Sequence, residues 1–221
     1  MDTISIEKMY LEQGQEVINS DEQTNSIYFN AGINSKTMSI LIDKLLKMEQ
    51  SILKKQKKLK RKFQEIKKDD KGNDLHDYED QFEIKIEPKP ITLSITSDGG
   101  YVYQVFCAID TIRGMKVPVH TICKGFVASA GTLLSLAGVK RFITESSYML
   151  IHELRAGYWG KYTNLSESFQ NCNQLMDHIK LYYLTRTKIT SEELNEQLKK
   201  DVIWNAQMCL EKGLVDEIIK Y

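Results

Sequence analysis

Residues 91–100 read Ile91-Thr-Leu-Ser-Ile-Thr-Ser-Asp-Gly-Gly100, and what surrounds them decides the fold. The first six residues alternate as a strand does. Ser97-Asp98-Gly99-Gly100 is a turn. Val102, Val105, Phe106, Ile109 and Ile112 then recur at helical spacing until Gly114 closes the run, and Val117–Cys123 reads as the next strand. Strand, glycine turn, helix and strand make a βαβ crossover. Such a crossover sets its strands parallel and predicts an α/β fold with a parallel sheet of βαβ units.

Downstream, Gly125-Phe-Val-Ala-Ser129-Ala-Gly131 opens an apolar helical run, Thr132–Ala137, that ends at Gly138. Lys140–Thr144 and Tyr148–Ile151 are further strands. A long amphipathic helix is expected over about 161–187. On it Leu165, Phe169, Cys172, Met176, Ile179 and Tyr183 alternate steps of four and three, a heptad-like seam that suits either an internal core or an oligomer face. Thr190 with Glu193 makes a capping box for one more helix. Residues 206–212 form a last short helix, stopped by Gly213.

Upstream, residues 1–25 are polar and read as weakly ordered at the start. Ser26-Ile-Tyr-Phe-Asn30 is a short strand, and Gly32 with Asn34-Ser35 supplies a turn and a helix cap. Met38, Leu41, Leu45, Met48 and Ile52 follow at helical spacing. The same phase continues through Leu59, Phe63 and Ile66, but the residues between become basic: Lys54, Lys55, Lys57, Lys58, Lys60, Arg61, Lys62, Lys67 and Lys68. Asp69, Asp70, Asp74, Asp77, Glu79, Asp80 and Glu83 then reverse the sign, with a Gly72-Asn73 turn near the switch. This charged insertion, about 53–89, is either a solvated helix with a loop or a charge-paired hairpin, and either a bland solvated excursion or a docking element. Pro88 and Pro90 close it.

The 221 residues, 42% hydrophobic, suit a single domain, 1–221, carrying that insertion. Lys+Arg and Asp+Glu are both 30, so overall charge offers no argument for nucleic acid or membrane as a partner. Cys107, Cys123, Cys172 and Cys209 are widely spaced and read as reduced packing residues of a cytoplasmic protein. The start, with Asp2, Glu7 and Glu12, does not read as a signal peptide, and no stretch is long and apolar enough to span a membrane. No metal-ligand spacing, phosphate loop or dinucleotide fingerprint is present, so neither a metal nor an organic cofactor is expected.

Chemistry points to Ser129. A serine hydroxyl needs a base, the base an orienting partner, and the developing oxyanion two donors contributing roughly 3–4 kcal/mol each. Ser129 stands at a strand-to-helix turn, although a serine there is ordinarily a helix cap. His152 follows an apolar strand and precedes the loop Glu153–Gly160, which suits a base. Asp201, just after a helix and before Ile203-Trp204, suits the orienting carboxylate. Gly99-Gly100 ends a strand and lets backbone N–H groups approach a ligand. His76, His120 and His178 fit the role poorly.

Taken in order, Gly99-Gly100, Gly125-Phe-Val-Ala-Ser129-Ala-Gly131, Met149-Leu-Ile-His152, Asp201-Val-Ile-Trp-Asn-Ala206 and Glu211-Lys-Gly-Leu-Val-Asp216 resemble the proteolytic subunit of the Clp protease (ClpP), most of all its divergent bacteriophage-type members. The resemblance spans about 26–52 and 90–219. It implies a crotonase-like fold and a serine endopeptidase that cleaves unfolded polypeptide inside an oligomeric chamber. Ser129, His152 and Asp201 match the catalytic positions, and the N–H groups of Gly100 and Ala130 the oxyanion hole. The helix at 161–187 matches the handle through which two heptameric rings meet, and Gly157–Tyr162 the strand that pairs with substrate. The implied partners are copies of this chain and an AAA+ unfoldase ATPase. The sequence departs from the family at Asp98, usually proline, at Ala130, usually methionine, at Glu153-Leu154, usually Gln-Pro, and at Lys199-Lys200, where an acidic-arginine pair is common.

Two other readings share the fold. One is a crotonase-type acyl-CoA hydratase or isomerase, which uses the same backbone oxyanion hole. The other is a catalytically inactive ring subunit or scaffold, motivated by the altered loop after His152 and the large insertion.

Overall fold

The computed structural model describes residues 16–66 and 87–220. Their spine is a sheet in the order β1-β2-β3-β4-β5-β8, with β6 added to β4 and β7 to β6. The strands are β1 (Val17–Asp21), β2 (Ser26–Asn30), β3 (Ile91–Ser97), β4 (Val119–Ala128), β5 (Lys140–Thr144), β6 (Tyr148–Leu150), β7 (Ile203–Asn205) and β8 (Glu217–Ile219). The helices are α1 (Ser35–Ile66), α2 (Val102–Gly114), α3 (Ala130–Ser135), α4 (Tyr162–Arg186), α5 (Ser191–Leu198) and α6 (Ala206–Glu211). From β2 to β8 the main sheet is parallel, as the crossover requires, and β1 and β7 are antiparallel additions.

Burial follows from the pattern of each strand. β2 alternates, presenting Ile27 and Phe29 to the core, whereas central β3 is buried at Ile91, Leu93, Ser94, Ile95 and Ser97. Helix α1 packs Met38, Leu41, Leu45, Met48 and Ile52 into this core. Its start is fixed by reciprocal hydrogen bonds: Asn34 Oδ1 accepts from the Thr37 N–H, and Thr37 Oγ1 from the Asn34 N–H, each at 3.0 Å. Further along, Glu49 accepts from the N–H groups of Lys116 and Val117 and ties the helix to the approach of β4. Past Leu53 the helix leaves the described core, and Leu59 is exposed. The helix nonetheless continues through the basic run to Ile66, so the first part of the insertion is helical. The Gly72-Asn73 turn, His76 and the acidic stretch lie outside the described residues.

The feature that positions the site is the length of β4. Lys124-Gly125 reads as a strand end, yet the strand runs on to Ala128. Its first half pairs with β5, His120 to Cys123 against Lys140 to Ile143, and its second half with β6, Phe126 to Ala128 against Tyr148 to Leu150. Between the halves the register with β3 slips from Ile95↔Cys123 to Ser97↔Val127, a bulge that turns the strand away from β5. Gly125 adopts φ +64° there, and Thr96 Oγ1 closes the bulge on the Lys124 carbonyl at 2.9 Å. The bulge therefore delivers the end of β4 to β6, which in turn pairs with β7.

Other differences from the sequence reading are local. A strand, β1, lies inside the polar opening segment, because an edge strand needs little apolar content. Helix α3 begins at Ala130 instead of Thr132. The three-residue strands β7 and β8 are too short to leave a period of two. The capping box of α5 forms as expected, Thr190 Oγ1 accepting from the Glu193 N–H at 3.2 Å and Glu193 Oε2 from the Thr190 N–H at 3.1 Å. Cys123 and Cys209 are buried packing residues, whereas Cys107 is exposed, a correction to the reading of all four as packing groups.

Candidate active site

Ser129 occupies the sharp turn from β4 into α3. Its φ of 54° is positive, a region that non-glycine residues enter rarely and at an energetic cost. Only Asn25 shares it among the described non-glycine residues. The turn is held by main-chain bonds: the Ser129 N–H donates to the Leu150 carbonyl at 2.8 Å, and the Ser129 carbonyl accepts from the Thr132 N–H at 3.0 Å and from Thr132 Oγ1 at 2.7 Å. The Ser129 hydroxyl itself makes no capping bond. The ordinary role of a serine at a helix start is thus unfilled, and the half-buried hydroxyl is left over for something else.

Buried hydroxyls brace the short helix behind it. Thr132 Oγ1 is hydrogen-bonded to Tyr183 Oη of α4, Ser135 Oγ donates to the Thr132 carbonyl, and Thr121 Oγ1 of β4 to the Ser135 carbonyl. Thr121, Thr132 and Ser135 are fully buried, so each bond avoids the penalty of an unpaired polar group. Burial pushes the Tyr183 phenol above its ordinary pKa, although the bond to Thr132 opposes the rise, so it stays neutral and can share its proton. The sequence showed Tyr183 only as a seam position; its hydroxyl facing an apolar stripe was the available signal.

The glycine turn lies directly against the serine. A Cβ on Gly99 would sit 2.6 Å from Ser129 Cβ and 3.1 Å from the Ala130 nitrogen. One on Gly100 would overlap the Ile33 carbonyl oxygen. Gly99 and Gly100 adopt φ of +96° and +142°, and the turn is stitched to Ile33: its N–H donates to the Gly99 carbonyl at 2.7 Å, and the Tyr101 N–H to the Ile33 carbonyl at 2.9 Å. Only glycine satisfies both the backbone angles and the close approach. The first N–H groups of α3, at Ala130 and Gly131, have no intrahelical acceptor and carry the positive end of the helix dipole. Asp98 borders this turn; partial burial raises its carboxyl above the usual range.

His152 and Asp201 lie just beyond the paired ends of β6 and β7. Ala128 pairs with Leu150 in parallel, so Ser129 lies alongside Ile151. Leu150 pairs with Ile203 antiparallel, so continuing the register sets His152 opposite Asp201. Side-chain hydrogen bonds do not yet follow the backbone. His152 Nδ1 bonds to the Glu153 carbonyl at 2.8 Å, and Asp201 Oδ2 is held by Arg155 Nη2 at 2.8 Å. Among the described residues no hydrogen bond joins His152 to Ser129 or to Asp201. Gln197 fastens the strand ends, donating from Nε2 to the Val202 carbonyl at 2.9 Å and reaching the Ile151 carbonyl at 3.5 Å. The Glu153 N–H donates to the Leu198 carbonyl, and the Leu154 N–H to Met176 Sδ of α4.

The loop after His152 carries no strand, and Gly157 to Tyr162 are exposed, Tyr162 already opening α4. Among the described residues no strand lies alongside for it to pair with. Tyr158 and Trp159 stand out from it, and Tyr158 Oη contacts Cys172 Sγ at 3.3 Å. Along α4 the seam is divided: Ile179 and Tyr183 are 5% and 2% exposed, whereas Leu165 and Phe169 are 39% and 67% exposed. No helix among the described residues is long and apolar enough to cross a membrane.

Comparison with known proteins gives the family. The Clp protease family model matches residues 81–221, more than half of the chain and all of the elements from β3 onward. The chain belongs to the Clp protease family. The ATP-dependent Clp protease proteolytic subunit of Deinococcus radiodurans is 32% identical to it over 131 residues, 58% of this chain and 64% of that protein. The chain thus spans just under two thirds of that relative.

Proposed function

We propose that this chain is a serine endopeptidase of the ATP-dependent Clp type, with Ser129 as nucleophile. The observation that carries the reading is Ser129 itself: strained, uncapped, at the start of α3 and pressed against a glycine turn. In the reaction, His152 takes the Ser129 proton as the hydroxyl attacks the scissile carbonyl, and returns it to the leaving amine. Asp201 orients the imidazole and stabilises its charged form. The N–H groups of Gly100 and Ala130 bind the oxyanion. Water then repeats the sequence on the acyl-enzyme. Before this the His152 ring turns from the Glu153 carbonyl toward the Asp201 carboxylate, which Arg155 holds at Oδ2.

On the same reading, residues 1–221 form one crotonase-like domain with a charged insertion at about 53–89, working in the cytoplasm. Copies assemble into heptameric rings, with the exposed half of α4 as the handle between them, and Gly157–Tyr162 becomes a strand when extended substrate supplies its neighbour. A Clp-type ATPase feeds unfolded polypeptide, and no cofactor is bound by this chain. Fluorophosphonate labelling tests the core of the proposal. The wild type is expected to label at a single serine and Ser129→Ala to lose the label entirely; equal labelling of the two removes Ser129 from the reaction.

A further inference from the structure

Arg155 lies three residues beyond His152, and it holds the carboxylate of Asp201, which continuation of the β6–β7 register sets opposite His152. The pair is direct, Arg155 Nη2 to Asp201 Oδ2 at 2.8 Å, with both side chains more than half exposed. The imidazole meanwhile is satisfied by a carbonyl of its own loop. Neither His152 Nδ1 nor Asp201 Oδ2 is without a partner; pairing His152 with the carboxylate requires the Nδ1 bond to open and, where Oδ2 is the acceptor, the Arg155 bond as well. Building on the peptidase reading, we propose that Arg155 is a positioning residue that holds Asp201 away from His152 in the resting site, and that transfer of Asp201 from Arg155 to the His152 Nδ1–H arms Ser129.

Energetics make the exchange workable. An exposed ion pair is weak and screened by salt, so it biases the carboxylate without trapping it. The incoming bond, an Nδ1–H to a carboxylate, becomes stronger as the imidazole gains charge during attack. Among the described residues, the charged groups neighbouring His152 along the loop and the register are Glu153, Arg155, Lys199, Lys200 and Asp201, and Lys180 of α4 lines a hollow of about 250 Å³ with Glu153 and Lys199.

The test is a cycle of Arg155→Gln, Asp201→Asn and the double variant, with Arg155→Lys as the conservative control, in the full chain. The far-downfield proton NMR signal of an Nδ1–H bonded to a carboxylate reports the His152–Asp201 contact. Fluorophosphonate labelling rate reports its effect on Ser129. Arg155→Gln is expected to strengthen the signal and speed labelling roughly two- to fivefold, about the population change an exposed ion pair supports. Arg155→Lys should behave as wild type. In the Asp201→Asn background the Arg155 change should do nothing, which separates the exchange from simple charge removal beside His152. The same acceleration in that background, or an unchanged signal in Arg155→Gln, overturns the proposal. Absence of labelling in every form, Ser129→Ala included, overturns the peptidase reading instead, and the NMR cycle still decides the partner exchange.

Discussion

Ser129 is held by main-chain geometry on three sides, whereas His152 and Asp201 are held by side chains that have other partners. The serine side draws on the bulge in β4, the Leu150 carbonyl, the Ile33 bridge and a buried hydroxyl network, all of which form as the sheet forms. The histidine side sits where β6 and β7 run out, fastened by Gln197 and by exposed polar bonds. Backbone hydrogen bonds within a buried sheet are cooperative and expensive to break. Exposed side-chain pairs exchange for fractions of a kcal/mol. The lesson is that one half of this site is preformed and the other is selectable.

Breaking the preformed half has the largest expected effect. Gly100→Ala forces a Cβ into the Ile33 carbonyl and shifts the proposed oxyanion donor; labelling is expected to fall on the order of 100-fold, with a loss of about 1–3 kcal/mol in denaturant unfolding. Next comes Gln197→Leu on the selectable half, which leaves two carbonyls without their donor. A loss of about 1–2 kcal/mol is expected, together with faster hydrogen exchange confined to the His152 loop, while the Ser129 turn keeps its protection. Tyr183→Phe removes one bond from the network behind α3 and should cost about 1 kcal/mol. It slows labelling without changing exchange at His152, and an equal response on both sides erases the distinction drawn here.

The smallest effect concerns Asp98. Its folded pKa is raised by partial burial, so the ionised carboxylate opposes folding above the ordinary carboxylate range. Asp98→Asn is therefore expected to raise the melting temperature slightly at neutral pH. The gain should shrink as pH falls through the folded pKa and vanish below about 4, where both folded and unfolded states are protonated. A gain that persists in acid assigns the effect to turn geometry instead of charge.

Much of this was legible before the structure. The βαβ unit at 91–123 announced a parallel sheet, because alternation, a glycine turn and a 3.6-residue period are each local properties. The caps at Asn34 and Thr190 were equally readable. Where reading stopped short, the deciding contacts were distant in sequence. Lys124-Gly125 looked like a terminus because nothing near it shows that β6 waits alongside. The seam on α4 looked uniform from Leu165 to Tyr183, although only its second half meets the core.

By itself, the sequence determined which residue types stand at the ends of elements: a serine before a helix, paired glycines after a strand, a histidine at the close of an apolar run and an aspartate between a helix and the next apolar run. Local periodicity carries that information. Tertiary structure decided that β4 bends across to β6, that β6 in turn pairs with β7, and that Arg155 reaches the Asp201 carboxylate. Register and ion-pair choice depend on residues dozens of positions apart, whose proximity exists only after the chain has packed.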